Sequence, residues 1–561
     1  MRPPLVRIVN GSFYNHRSSA PVLTNLTFEL PSTTLSNWCV VGPSRSGKSS
    51  FLQILAGRLQ CDPPSARSFP YLTARRRSPL DAMRYVGFGS GAQESLADVK
   101  DTYVSARYES KRDAADFCLG DYLRGRTQVN VGEDKESPLP AELVERTAAD
   151  FGLGRFLDSP VVFLSNGQTR RARIARALLT GPEVLLLDEP FMGLDPGTAR
   201  ELSCLFASLV AKGETRLVMC ARPQDPLPEW ITHLVYLGGK RAMGSKEVVL
   251  SELEDQLGER KMDDIAEQHI RVFLKKSRRP GPSLSAAFTG TATPPAPVDA
   301  SAEPVVEMDG CQVRYGDKVA LGDWTQKTQR GDKAGMVWTI RRGERWAVFG
   351  PNGSGKTTMV SLLSAEHPQV YSLPIKLFGK SFLAEAGSDA PRLDYWTVQD
   401  AVSVSSPEVD RLVSRSRGTV RAVLEGGWYG PNHGRRRLTD EQRGRVVAAL
   451  RWFAPELWPE GAVDVSWADE RVMSDLSSSA QRVILFLRRV LKSPQLLILD
   501  ETFSGMDAAV RDKCMRFLAH GQGTSCDDGD GVSYPGLTGE QTLVCISHVK
   551  EEVPDCVRDW R

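Results

Sequence analysis

At 561 residues the chain is too long for one small core and suits either two large α/β units or about three to four domains of roughly 150 residues each. Its 41% hydrophobic and 25% charged content is that of an ordinary globular protein, and 71 Lys+Arg against 69 Asp+Glu leave a net charge of +2, which excludes a strong field over the whole molecule of the kind that gathers polyanions. The longest apolar runs, such as Val184-Leu185-Leu186-Leu187, fall far short of the ~20 residues needed to cross a bilayer, so a membrane part, if one is used, must come from separate membrane subunits.

Residues 1–28 contain no Asp or Glu but hold Arg2, Arg7, His16 and Arg17, a composition like that of a mitochondrial transit segment. The same stretch reads as the first strands of a folded domain, so cleavage there would remove structure. The expected location is intracellular and cytoplasmic, with a mitochondrial address as the alternative. The ten cysteines are scattered without a CxxC pair, and several lie in apolar runs such as Val544-Cys545-Ile546, which fits free thiols in a reducing compartment rather than a zinc site or a disulfide framework.

The first strongly predicted unit is an apolar strand, Trp38-Cys39-Val40-Val41, then a glycine loop, Gly42-Pro43-Ser44-Arg45-Ser46-Gly47-Lys48-Ser49, then a helical pattern over Phe51 to Leu59. The loop matches GxxxxGK[ST] in the strand, loop, helix context that gives the motif its meaning. Glycines let the backbone curl so that successive N–H groups face phosphate oxygens at a helix N-terminus, where the dipole also favours negative charge. Lys48 is placed to reach the β- and γ-phosphates, the Ser49 hydroxyl to ligate Mg²⁺, and the adjoining Ser50 completes the candidate nucleotide-binding set. Further on, Leu164-Ser165-Asn166-Gly167-Gln168 leads an Arg-rich helical stretch and a buried strand ending in Asp188-Glu189. Asp188 stands where a carboxylate can hold Mg²⁺ through its water shell, and Glu189 where one can polarise an attacking water.

The chain then repeats itself. After a Pro- and Ala-rich stretch expected to be a flexible linker, Trp346-Ala347-Val348-Phe349 leads into Gly350-Pro351-Asn352-Gly353-Ser354-Gly355-Lys356-Thr357, with Thr358 next and a helical pattern over Met359 to Leu363. Leu476-Ser477-Ser478-Ser479-Ala480-Gln481 leads to a strand ending in Asp500-Glu501. Ser165, Asp188 and Asp195 recur 312 residues later as Ser477, Asp500 and Asp507. Lys356, Thr357, Asp500 and Glu501 therefore take the same candidate roles as Lys48, Ser49, Asp188 and Glu189. The expected organisation is a first domain over residues 1–276, a linker over 277–304 and a second domain over 305–561. Gly521 to Glu540, rich in Gly and Asp, is expected to be a surface loop. Arg75-Arg76-Arg77, Lys275-Lys276-Ser277-Arg278-Arg279 and Arg435-Arg436-Arg437 read as solvated basic loops, and nucleic acid is not the expected partner.

The two glycine loops together with Leu164-Ser165-Asn166-Gly167-Gln168 make the chain resemble the ATP-binding cassette superfamily over nearly its whole length outside the linker. Trp338 to Trp346, His367-Pro368-Gln369 and Phe503-Ser504-Gly505-Met506-Asp507 resemble, more narrowly, two-cassette ATPases of the molybdate-transport and photorepair type and their fungal relatives. The resemblance implies an α/β fold with two P-loop nucleotide-binding domains in tandem, each with a RecA-like core, an antiparallel β subdomain and a helical subdomain. It implies ATP and Mg²⁺ as cofactors, ATP hydrolysis, and intramolecular pairing in which each signature segment faces the glycine loop of the other cassette. One composite site then combines Lys48, Ser49, Asp188, Glu189 and Arg222 with Ser477 and Ser479. The other combines Lys356, Thr357, Asp500, Glu501 and His548 with Ser165 and Gly167.

His548 fits the family's switch histidine, where the first copy has Arg222, which cannot exchange a proton at neutral pH. Ser479 replaces Gly167 and is expected to put a side chain where backbone must approach phosphate. The second glycine loop is therefore expected in the more active site. Tyr14 and Tyr315 lie where the family usually stacks an aromatic ring on adenine, or are core rings. The lobe-linking glutamine has only Gln93 as a candidate in the first copy, and Ser405 to Glu408 occupy that stretch in the second. The load is a transporter-like partner or, alternatively, a ribosome or RNA target.

Overall fold

The computed structural model describes residues 3–15, 20–33, 36–44, 46–88, 117–126, 139–161, 164, 166–213, 215–238, 241–257, 264–277, 302–315, 318–328, 331–350, 354–383, 392–406, 413, 418–429, 438–458, 464–522 and 534–560. They divide into two compact units, one within residues 1–286 and the other reaching from Ala287 to Arg561.

In the first unit, β1 (Val6–Tyr14), β2 (Pro21–Leu30), β4 (Gln60–Asp62) and β5 (Arg67–Ser68) form a four-stranded antiparallel sheet. The N-terminal stretch, expected to hold the first strands of the domain, supplies β1 and most of β2. A six-stranded sheet follows with the order β10-β9-β3-β8-β7-β6, built from β3 (Trp38–Val41), β6 (Met83–Gly87), β7 (Val184–Asp188), β8 (Arg216–Ala221), β9 (His233–Tyr236) and β10 (Ala242–Ser245). All its pairings are parallel except that of β10 with β9. Parallel strands are covered on both faces, so they read as unbroken apolar runs. Val184, Leu186, Val218 and Cys220 pack on one face of this sheet with the glycine-loop helix and the antiparallel strands, while Leu185, Leu187, Leu217 and Met219 pack on the other with the helical segment.

That helical segment comprises Leu119–Arg124, Ala141–Asp150 and α2 (Asn166–Leu179), after α1 (Lys48–Leu55) of the glycine loop and before α3 (Pro196–Lys212). The first helix starts earlier and stops earlier than the apolar pattern suggests. Gly47, at φ +90°, lets the loop turn straight into the helix at Lys48, and Gly57, at φ +77°, ends it in a conformation that side chains resist.

The second unit repeats the plan. Its antiparallel sheet has the order β16-β11-β18-β19, from β11 (Pro304–Cys311), β16 (Met336–Arg341), β18 (Ile375–Leu377) and β19 (Lys380–Ser381), and two short hairpins lie between β11 and β16 in the chain, β12 (Val313–Tyr315) with β13 (Lys318–Leu321) and β14 (Thr325–Thr328) with β15 (Gly331–Ala334). Its parallel sheet has the order β20-β21-β22-β17-β23, from β17 (Arg345–Val348), β20 (Val402–Ser405), β21 (Leu496–Asp500), β22 (Thr542–Ile546) and β23 (Asp559–Trp560). Leu496, Ile498, Val544 and Ile546 pack on one face, and Leu497, Leu499, Leu543 and Cys545 on the other. The helices that matter here are α4 (Lys356–Leu363), α5 (Ser478–Val490) and α6 (Ala508–His520).

The segment Gly521 to Glu540 departs from a simple surface loop at its described ends. Tyr534 is buried and stacks on Phe517 with ring centroids 4.8 Å apart. The buried Gln522 amide accepts from the Tyr534 backbone N–H at 2.9 Å and donates to the Ala448 carbonyl at 3.0 Å. The loop base is thus part of the core, and a Cβ on Gly521 would lie 2.1 Å from the Tyr534 carbonyl oxygen.

Candidate nucleotide sites

In the first unit β3 delivers the glycine loop, β7 delivers Asp188 and Glu189, and β8 delivers Arg222. Lys48 is buried and its ammonium donates to the Gly42 and Pro43 carbonyls at 2.8 and 2.9 Å, with Glu189 Oε1 3.8 Å away. Gly42 has no room for a side chain, since a Cβ there would lie 2.2 Å from the Leu237 carbonyl oxygen. Glu189 has φ +51°, an uncommon backbone state for a non-glycine residue that costs on the order of 1 kcal/mol and concentrates at functional sites. Burial raises its pKa, while Lys48 and then Arg222 pull it back down. Asp188 accepts from the Tyr85 hydroxyl at 2.6 Å on one oxygen and from the Cys220 thiol on the other. Burial, then the Asp188 charge, pushes both the phenol and the thiol up. The Arg222 guanidinium is gripped by both oxygens of Asp225, at 2.8 and 3.1 Å, and Asp225 also accepts from the Arg222 backbone N–H at 3.0 Å.

The second unit carries the same frame with different chemistry. Lys356 donates to the Gly350 carbonyl at 2.7 Å, and Gly355, at φ +89°, starts α4. Glu501 has φ +49°, matching Glu189, and its backbone N–H donates to the Ile546 carbonyl at 3.0 Å. His548 Nε2 lies 2.7 Å from Glu501 Oε1, outside hydrogen-bond alignment. Strand register makes Arg222 and His548 equivalent, because Trp38 pairs with Val218 in one sheet and Trp346 with Val544 in the other, four residues before each.

The signature segments hold a correction. A Cβ on Gly167 would lie 2.7 Å from the Thr198 γ-methyl at the start of α3, so this position faces its own unit. Ser479, its counterpart, is only 2% exposed and its hydroxyl accepts from the Asp507 backbone N–H at 3.3 Å. The serine is absorbed internally, and the expectation that it obstructs a phosphate loses its steric basis. Ser477 caps α5, its hydroxyl accepting from the Ala480 N–H at 3.2 Å.

Ser44, Ser50, Ser354 and Thr358 lie on the glycine loops and the first turns of their helices, while Ser49 and Thr357 are exposed there. Arg45, Ser165, Pro351, Asn352, Gly353 and Gln93 lie outside the described residues, as does the side chain of Tyr315. Tyr14 ends β1 opposite Pro21 and Gln60, half-buried. The residues fit a phosphate ligand. Ser46 Oγ is buried with no partner among the described residues, directly under the Gly42 cradle. The hydroxyl and carboxylate donors, Ser49 with Asp188 and Thr357 with Asp500, are the oxygen-only set that suits magnesium.

The sequence profile described as ABC transporter matches residues 23–192 and 334–504, more than half the chain and one stretch in each unit. The chain belongs to the ABC transporter family. As a member it is an ATP-binding ATPase of two cassettes. It is 28% identical to an uncharacterized ABC transporter ATP-binding protein of Schizosaccharomyces pombe over 98% of this chain and 96% of that one. It is 29% identical to the ABC transporter ATP-binding protein ModF of Escherichia coli over 95% of this chain and 92% of that one. Among solved structures, a chain in a model of ribosome-bound archaeal Pelota and ABCE1 shares the fold over 93% of this chain and 71% of that one, with a TM-score of 0.51 and 17% identity. Among the described residues no helix is long and apolar enough to cross a membrane.

Several cassette residues with a part in the site are not singled out by sequence pattern. Arg170 on α2 donates to the Pro190 carbonyl at 2.6 Å and to the Met192 carbonyl, tying the signature helix to the loop after Glu189. Its only sequence signal is membership of the Arg-rich run. Tyr85, Cys220 and Asp225 act through cross-strand or turn contacts, and Asp225 alone had a local cue, standing three residues after Arg222.

Proposed function

We propose that the chain is a tandem ATPase whose cassettes, residues 1–276 and 305–561 joined by a linker at 277–304, close on two ATP molecules and reopen after hydrolysis to move a partner. Lys48 and Lys356 bind the β- and γ-phosphates. Ser49 with Asp188, and Thr357 with Asp500, would hold magnesium, which supplies charge neutralisation on the phosphates when bound. Glu501 accepts the proton of the attacking water, and His548 orients that water against the γ-phosphate. Each glycine loop works with the signature of the opposite cassette, Ser165 and Gly167 serving the second loop and Ser477 and its helix serving the first.

The observation that carries unequal sites is the contrast between His548 beside Glu501 at 2.7 Å and Arg222 bound up with Asp225 at 2.8 Å. An imidazole can exchange a proton near neutral pH and a guanidinium cannot. The second loop then turns ATP over while the first mainly binds it. The retained Glu189 leaves the first site slow rather than inert.

A transporter-like load in the cytoplasm is the reading supported by the names of the relatives and by a net charge of only +2. ATPase assays on the purified full chain test the motor. Lys356→Ala is expected to abolish most turnover and Lys48→Ala to reduce it less, and full turnover in Lys356→Ala overturns the assignment. Fractionation tests the load: sedimentation with membranes supports this reading, and sedimentation with polysomes replaces it by a ribosome-directed one.

A further inference from the structure

The second unit carries a segment, His367-Pro368-Gln369, that the phosphate chemistry does not use. His367 is buried, and its Nδ1 accepts from the Gln369 backbone N–H at 3.1 Å, capping the short 3₁₀ turn Pro368–Ser372. Proline opens such a turn without forfeiting a hydrogen bond. The half-buried Gln369 then turns its carboxamide to the main chain of Arg314 in β12. Its Nε2 donates to the Arg314 carbonyl at 2.6 Å, and its Oε1 accepts from the Arg314 N–H at 3.3 Å. One side chain thus pairs with both backbone groups of a strand residue, as a neighbouring strand would.

The first cassette has a strand at that place. Gln369 stands 13 residues after Lys356, and Cys61 stands 13 residues after Lys48. Cys61 in β4 pairs with Phe13, the residue before Tyr14, just as Arg314 is the residue before Tyr315. β1 and β4 belong to a four-stranded sheet, whereas β12 and β13 form a sheet of two. A two-stranded hairpin is marginal by itself in water, so what grips its outer strand decides how firmly it stands. Val313 and Leu321 anchor the hairpin to the core, and Gln369 holds the next residue of β12.

This hairpin borders the second glycine loop. A Cβ on Gly355 would lie 2.6 Å from the Ala320 carbonyl oxygen and 3.0 Å from Leu321 Cδ1, so β13 lies against the glycine that starts α4. The Glu366 and His367 backbone N–H groups both donate to the Ser361 carbonyl on α4, at 2.9 and 3.0 Å. Helix α4, His367, Gln369 and β12 are therefore joined by one run of hydrogen bonds.

We propose that Gln369, seated by His367, is a positioning residue for nucleoside recognition in the second site: it fixes the β12–β13 hairpin as a wall for the sugar and base of ATP. This rests on the reading that the second glycine loop binds ATP. Gln369 acts through the hairpin and not on the phosphates, so its loss weakens the hold on the nucleoside and spares the triphosphate.

Equilibrium dialysis on the full chain carrying Lys48→Ala, which leaves the second loop as the phosphate site, tests this by comparing ATP with inorganic tripolyphosphate, each with magnesium. Adding Gln369→Leu, which removes both hydrogen bonds, is expected to weaken ATP by about tenfold, as for a hairpin in place only about a tenth of the time, and to leave tripolyphosphate within about twofold. Gln369→Glu keeps the side-chain length and one acceptor but faces the Arg314 carbonyl with a second oxygen. It is expected to weaken ATP severalfold with tripolyphosphate again unchanged, and it decides the matter if a thermal melt shows the leucine variant unfolded. Parallel losses of both ligands, or variants that fold and bind ATP as before, overturn the proposal. ATP binding that survives Lys48→Ala combined with Lys356→Ala overturns instead the reading on which it rests.

Discussion

Gly167 offers a direct test of what the signature glycine is for. In Gly167→Ala the new methyl would sit 2.7 Å from Thr198 Cγ2, so Thr198 must move. Thr198 is held at both ends: its hydroxyl donates to Asp195 Oδ2 at 2.6 Å and its backbone N–H to Oδ1 at 3.0 Å, which is how Asp195 caps α3. Rotating the threonine swings its hydroxyl off a buried carboxylate, a loss of about 1.5–3 kcal/mol. Replacing a glycine by alanine within a helix returns up to about 1 kcal/mol. The net cost is about 1–2 kcal/mol, a fall of several degrees in Tm for a unit of this size.

Thr198→Ser removes the obstructing methyl and keeps the hydroxyl. A double-mutant cycle on the full chain, read by scanning calorimetry, is expected to show Gly167→Ala costing almost nothing in the Thr198→Ser background. Additive costs would refute the packing argument. So would a Gly167→Ala variant with unchanged Tm that fails to hydrolyse ATP, because the glycine would then serve only the phosphate.

Asp225→Ala strips a paired guanidinium that is 10% exposed and is expected to cost about 2–3 kcal/mol by urea unfolding, whereas Asp225→Asn retains part of that. The raised pKa of Glu189 means that its ionised form is disfavoured in the folded chain. Its contribution to stability is fully present below the ordinary glutamate value of 4.5 and is lost as pH rises through the raised value, so Glu189→Gln should gain on wild type as pH rises from there. Iodoacetamide labelling at pH 8 followed by mass spectrometry should modify exposed Cys204 well before Cys39, Cys220, Cys514 and Cys545, whose thiols are buried and raised.

The repeat, both glycine loops and the strands ending in Asp188 and Asp500 were legible in the sequence because each is local: a strand buried on both faces is an apolar run, and a phosphate loop needs its glycines at fixed spacing. What was not legible depends on register between distant strands or on the direction of a side chain. Tyr85 and Asp188 lie 103 residues apart and meet only because β6 and β7 are neighbours. Ser479 looked like an obstruction because spacing gives a position and not the face to which a Cβ points. The base of the Gly521 to Glu540 segment looked like surface by composition, yet Tyr534 and Gln522 tie it into the core.

Steady-state ATP turnover of Glu501→Gln beside Glu189→Gln in the purified full chain shows whether the two sites do unequal work. Glu501→Gln should lose turnover by about 100-fold or more, as expected for removal of a general base, while Glu189→Gln keeps most of the wild-type rate. Equal losses in the two variants would contradict the account.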